Sequence, residues 1–226
     1  SRKNYTQEIF NLCFGNRTRS LSFNDKPPVD TAIRKSKRRK IRALPDLPER
    51  ILDAPDIIDD YYLNLLSWSY DGILAVALGA TVYLWNSTTG DISELLSLPH
   101  DDDYVCSIAW AQQGQYLAVG TSGGSVQIWD ADSGKRLRDM PGHSERVSSL
   151  SWNGQIVSSG ARDYNIVNHD VSKVNPIVNI ISHHSGEVCA LSWNRNGSYL
   201  ASGSNDNTFS IWDVKAGYVE PLFKCT

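Results

Sequence analysis

The chain has 226 residues, 41% hydrophobic and 21% charged, the balance of a folded globular protein. No apolar run approaches the roughly 18 residues that a membrane span requires, so no membrane partner is expected. The net charge of −3 conceals two opposed parts: residues 1–50 carry 13 Lys and Arg against 5 Asp and Glu, and residues 51–226 carry 9 against 20.

Residues 1–50 read as a basic leader that is mostly disordered, because they lack a periodic apolar face and carry excess positive charge. The chain opens on Ser1, and SRKNYTQEIF is no signal peptide, so an upstream segment is expected. TQEIFNLCFG can form a turn or two of amphipathic helix with Gly15 as its stop. The run RKSKRRKIR suits a solvated linker, a nuclear-import signal or a nucleic-acid patch. The last is weakest, because no aromatics interleave with the charges, and no nucleic-acid partner is expected.

From Leu52 onward the chain repeats, so residues 51–226 form the second predicted domain. Trp68, Trp110, Trp152 and Trp193 recur at separations of 42, 42 and 41 residues, each ending a similar stretch: YYLNLLSW, YVCSIAW, RVSSLSW and EVCALSW. A second signature follows in each copy: VYLWN, VQIWD, IVNHD and FSIWD. A period near forty with four short strands per copy predicts an all-β fold of WD-repeat propeller blades. In the second repeat the strands read VCSIAW, YLAVG, SVQIWD and KRLRDM. In the last of these, Arg136 and Arg138 alternate with Leu137 as on a half-exposed edge. The acidic run Asp101, Asp102 and Asp103 reads as a solvated turn between blades, or else as a partner-facing patch.

Candidate chemistry is sparse. Cys13, Cys106, Cys189 and Cys225 have no CxxC spacing. Cys106 and Cys189 share one repeat position, as small apolar residues of an inner strand would, and a reducing compartment follows. His143 and His184 lie four residues before Val147 and Val188, and Asp163 and Asp206 lie six before His169 and Trp212. These are the positions where a WD repeat bonds a buried imidazole to a turn aspartate, with a serine and an indole completing the network. The fourth repeat has every part: His184, Asp206, Trp212 and Ser202 or Ser204. In the third, His169 replaces the Trp and leaves the network incomplete, and the first two have Gly79 and Gly123 at the turn. A Ser/His/Asp set at repeat-locked spacing is structural, whereas a catalytic triad occurs once, in a cleft. No P-loop, GxSxG, HExxH or metal-spaced His/Cys cluster is present, so neither an enzyme nor a cofactor is expected.

The segment LPERILDAPDIIDDYYLNLLSWS, residues 47–69, is no WD consensus. It resembles the signature of the Fizzy family, the cell-division-cycle protein 20 type of activator of the anaphase-promoting complex. LAVALGATVYLWNSTTGDI, RVSSLSWNGQIVSSG, SGEVCALSW and LASGSNDNTFSIWD agree, and NRTRSLSFNDKPP resembles the family's spacer, particularly in plants. The resemblance implies a seven-bladed propeller, four blades of which are here, that delivers substrates to a ubiquitin ligase. It implies that Leu52 and Asp53 receive the destruction box, and that Asp60, Tyr61, Tyr83, Asn205 and Asn207 form part of the KEN-box surface. It implies as partners subunits of the anaphase-promoting complex and degron-bearing substrates such as cyclins, with spindle-checkpoint proteins as further candidates, in nucleus and cytoplasm. The alternative is a truncated or degenerate WD-repeat scaffold that binds partners without activating the ligase. The family's C-box, checkpoint-protein motif and C-terminal Ile-Arg tail are expected outside these 226 residues.

Overall fold

A computed structural model describes residues 46–99, 102–218 and 220–225. The chain divides into two units, Ser1–Asp53 and Ala54–Thr226. The expected disorder and short helix of the leader fall almost wholly outside the described residues, as does Cys13. Among the described residues every strand belongs to the second unit, and no helix is long and apolar enough to cross a membrane.

Among the described residues, sixteen strands make four antiparallel four-stranded sheets, one for each sequence repeat. Blade 1 holds β1 (Leu66–Trp68), β2 (Ile73–Leu78), β3 (Thr81–Asn86) and β4 (Ile92–Ser97). Blade 2 holds β5 (Val105–Trp110), β6 (Tyr116–Thr121), β7 (Val126–Asp130) and β8 (Lys135–Met140). Blade 3 holds β9 (Val147–Asn153), β10 (Ile156–Ala161), β11 (Ile166–Asp170) and β12 (Ile177–Ile181). Blade 4 holds β13 (Val188–Trp193), β14 (Tyr199–Ser204), β15 (Phe209–Asp213) and β16 (Phe223–Cys225). In each sheet the strands lie side by side in chain order, and β1, β5, β9 and β13 are neighbours in succession. These four are the inner strands of adjacent propeller blades, as the repeat predicts.

The hydrophobic core lies between blades. Leu65, Val82, Leu84, Val105, Ile108 and Leu117 join the first two blades, and Val126, Ile128, Val147 and Val157 the next two. The repeated tryptophans stitch the same seams. The Trp110 indole N–H donates to Ser67 O at 3.1 Å and that of Trp152 to Ala109 O at 2.9 Å, each one blade back. Trp193 reaches the Ser158 hydroxyl of blade 3 at 3.0 Å. A buried indole needs a hydrogen-bond acceptor, and the preceding blade supplies it. The residue that ends each third strand caps the turn that follows. The side chains of Asn86, Asp130, Asp170 and Asp213 accept from the backbone N–H of Thr88, Asp132, Ser172 and Lys215.

Two register irregularities recur with the blades. In the outer strands, Tyr83 pairs with Glu94 and Val82 with Leu96, Trp129 with Arg136 and Ile128 with Arg138, and His169 with Ile177 and Asn168 with Asn179. Leu95, Leu137 and Val178 are therefore bulged. This corrects the simple alternation expected around Leu137, which is 50% exposed, because a bulge breaks the period of two. In the inner strands the bulged residues are Cys106, Ser148 and Cys189. Cys106 is buried, and burial pushes its thiol up to about 12. Cys189 is half-buried with its thiol directed at Glu187 O, 3.2 Å away.

The turn aspartates close the blades. In blade 4, His184 Nδ1 is 3.1 Å from Asp206 and its Nε2 is 2.8 Å from Ser202 Oγ, which also accepts the Trp212 indole at 2.9 Å. Ser202 is the serine of this network, and the Ser204 hydroxyl donates instead to Gly186 O. Blade 3 departs from expectation. His143 Nδ1 is 3.0 Å from Asp163 and its Nε2 is 2.8 Å from Ser159 Oγ, but Ser159 Oγ also lies 3.2 Å from His169 Nε2. The second imidazole puts a ring nitrogen where an indole N–H would sit, so the network continues through His169. Blade 2 builds the same clasp from the other side. With Gly123 at the turn, Asp103 of the preceding loop bonds the Ser122 hydroxyl and the Gly123 N–H. Asp103 is thus half-buried and engaged, which corrects its reading as solvated. Asp102 is exposed, and Asp101 lies outside the described residues.

Candidate functional site

The residue six positions before each repeated Trp lies ahead of its inner strand, by one residue in blades 2, 3 and 4 and by four in blade 1. In chain order these residues are Tyr62, Tyr104, Arg146 and Glu187, and contacts join Tyr62, Arg146 and Glu187 from three blades. Arg146 is the hub. Its Nε and Nη2 donate to the two Glu187 carboxylate oxygens at 2.9 and 3.0 Å, and its Nη1 donates to Asp60 Oδ2 at 2.8 Å. Its guanidinium lies 5.6 Å from the Tyr62 ring centroid, a cation–π contact. Only 14% of the Arg146 side chain is exposed. Hydrogen bonds from Glu187 first, and from Asp60, hold the guanidinium's pKa above its ordinary value despite burial.

The segment before β1 docks on this hub. Asp60 Oδ1 accepts the Tyr62 N–H at 2.9 Å, a turn that returns the carboxylate toward Arg146. That backbone bond first, with Arg146 behind it, holds the Asp60 carboxyl below the usual range against partial burial. The Tyr62 hydroxyl donates to Asn205 Oδ1 at 3.0 Å, joining the segment to the β14–β15 turn of blade 4. The Asn205 N–H in turn donates to Glu187 O at 2.9 Å.

Of the residues assigned by resemblance to the KEN-box surface, Asp60 and Asn205 are thus joined through Tyr62, Arg146 and Glu187. Tyr61 stands edge-on to Tyr62, centroids 5.5 Å apart, and is 90% exposed. Asn207 is exposed at the same turn as Asn205, with a left-handed φ of 63° that asparagine tolerates. Tyr83 is not part of the cluster: it is a mid-strand residue of β3, registered against Val76 and Glu94, and no hydrogen bond among the described residues ties it to the others. Leu52 and Asp53 are exposed residues at the end of the first unit. The sequence reading missed Tyr62, Tyr104, Arg146 and Glu187, although their shared offset from the repeated Trp was a usable signal.

The surface can present an ionised carboxylate, side-chain amides and an exposed phenol to a basic or polar peptide. Among the described residues, no group of three or more His, Cys, Asp or Glu is placed to hold a metal ion.

The sheets and their signatures make this a WD-repeat β-propeller in part, and comparison with known proteins narrows it. A family profile described as the CDC20/Fizzy WD40 domain matches residues 52–226. The chain belongs to that family. It is 50% identical over 189 residues to "Anaphase-promoting complex subunit cdc20" of Dictyostelium discoideum, covering 84% of this chain and 37% of that protein. It is 41% identical over 225 residues to "Cell division cycle 20.1, cofactor of APC complex" of Arabidopsis thaliana, covering 94% of this chain and 49% of that one. A chain of the solved structure "Crystal Structure of Mitotic Checkpoint Complex" superposes with a TM-score of 0.77 at 45% identity, over 83% of this chain and 59% of the other. The chain therefore spans half or less of the length of these two curated relatives.

Proposed function

We propose that the protein is a substrate-recognition activator of the anaphase-promoting complex, binding destruction-box and KEN-box degrons and promoting ubiquitination in the cell cycle. The observation that carries the reading is the Tyr62 to Asn205 bond, by which the DDYYLN segment and the blade 4 turn share one surface. Both degrons contain an Arg or Lys in the lead position, and an ionised Asp60 with neighbouring amides is suited to a basic head group. Leu52 and Asp53 take the destruction box in this reading, with the aspartate meeting the degron arginine. The partners are subunits of the ligase, cyclin-like substrates and spindle-checkpoint proteins, in nucleus and cytoplasm. The names of the relatives and of the checkpoint-complex structure support this choice.

Reconstituted ubiquitination tests the proposal. Adding the protein should raise chain formation on a substrate with an intact degron and not on one whose degron is mutated. Binding of degron peptides without any rise in chain formation would favour the alternative, a scaffold that does not activate the ligase.

A further inference from the structure

Asp60 is already paired within the chain, and this has a consequence for any basic ligand. Its Oδ1 accepts the Tyr62 N–H and its Oδ2 accepts Arg146 Nη1, so each oxygen keeps one lone pair. The side chain is 28% exposed, enough for that remaining acceptor capacity to face solvent. Arg146 is itself fixed by the two-pronged bond to Glu187 and by the Tyr62 ring. A planar guanidinium held by one carboxylate can orient a second, which the rotating point charge of a lysine cannot do equally well. We infer that Arg146, locked by Glu187, is the positioning residue that aims the Asp60 carboxylate at the basic head group of a bound peptide. The inference rests on the degron-binding reading above and deepens it.

Charge alone predicts the opposite behaviour. Arg146 repels a basic ligand, as does the exposed Arg162, which also acts on Asp60. Removing the Arg146 charge should tighten binding if Coulomb attraction decided affinity. If Arg146 positions Asp60, removing it should weaken binding even though the surface becomes more negative.

The test is a cycle between protein and peptide variants. A labelled peptide containing Lys-Glu-Asn, and the same peptide with the lysine replaced by alanine, are titrated against the full-length protein and its Arg146→Met, Arg146→Lys and Glu187→Gln variants. The unaltered protein should prefer the lysine peptide. Arg146→Met should cut that preference about tenfold or more, the scale of losing one charged hydrogen bond, and leave the alanine peptide almost unchanged. Arg146→Lys should recover part of the preference, and Glu187→Gln should lose part of it. Equal weakening of both peptides would mean that Arg146 is merely structural, and tighter lysine-peptide binding by Arg146→Met would mean that it only repels. Either result overturns the inference and leaves the degron reading standing. Should Arg146→Met fail to fold by circular dichroism, the other two variants decide. No binding of either peptide by the unaltered protein would overturn the KEN-box reading and this inference with it.

Discussion

The side-chain amide of Asn64 donates to Ser148 O at 2.7 Å and also reaches Cys189 O at 3.3 Å, so one residue ahead of β1 ties together blades 3 and 4. Its backbone bonds blade 2 as well, donating to Cys106 O at 2.9 Å and accepting the Ile108 N–H at 3.0 Å. Asn64, Cys106, Ser148 and Cys189 all lie four residues before their repeat's Trp. The last three are the inner-strand bulges, and Asn64 is the residue that binds their carbonyls.

Asn64→Ala should therefore destabilise the blades together. The side chain is partly open to water, which can replace some of the lost bonding. A loss of about 0.5–1.5 kcal/mol is expected from the denaturant midpoint. Asn64→Asp, which cannot donate to the carbonyls, should cost at least as much.

Asp163→Ala and Asp206→Ala should cost similar amounts, about 1–3 kcal/mol each, because both orphan a buried histidine and an adjacent backbone N–H. The sequence alone favoured a smaller loss at Asp163. The Ser159 to His169 contact removes that difference, and paired denaturation curves check it.

Burial first, and the charge of neighbouring His143 second, push His169 down to about 4 from an ordinary value of 6.5. Its Nδ1 has no hydrogen-bond partner among the described residues. The unfolded chain therefore takes up a proton at this site between about pH 6.5 and pH 4 while the folded chain does not. The stabilising contribution is complete above the upper value and is lost as pH falls through that window. Burial lowers His184 in the same direction. His169→Trp should remove the His169 share alone, so its melting temperature should fall less than that of the parent as pH drops from 7 to 4.

Gly120 and Gly160 hold equivalent positions in β6 and β10 with like surroundings. A Cβ on Gly160 would come within 2.5 Å of Val188 Cγ1 in blade 4, and one on Gly120 within 2.8 Å of Val147 Cγ1 in blade 3. Gly160→Ala should cost about 1–3 kcal/mol by forcing two blades apart, and Gly120→Ala should cost a similar amount. Thermal melts of the two variants check the pair.

Within the proposed function, Asp53→Ala should weaken a destruction-box peptide by about 1.5–3 kcal/mol, the scale of a charged hydrogen bond. A KEN-box peptide should keep its affinity, because in this reading Asn205 and Asn207 of the blade 4 turn form a different surface. Calorimetric titration of both peptides gives the comparison.

The tandem period was legible in the sequence because each blade must solve the same packing problem. A Trp for the seam, a capping residue after the third strand and a small residue at the inner bulge recur at one spacing, and the strand count follows. The family was legible from residues 47–69, a segment that is no part of the repeat. Tertiary structure alone decided which repeat positions meet. Tyr62, Arg146 and Glu187 are 84 and 41 residues apart along the chain, and only the stacking of inner strands makes them neighbours. It alone showed that His169 carries the indole's role and that Asp103 closes the second blade from the loop side. In both cases the blade demands a hydrogen-bonding atom at a point in space, and more than one place in the sequence can supply it.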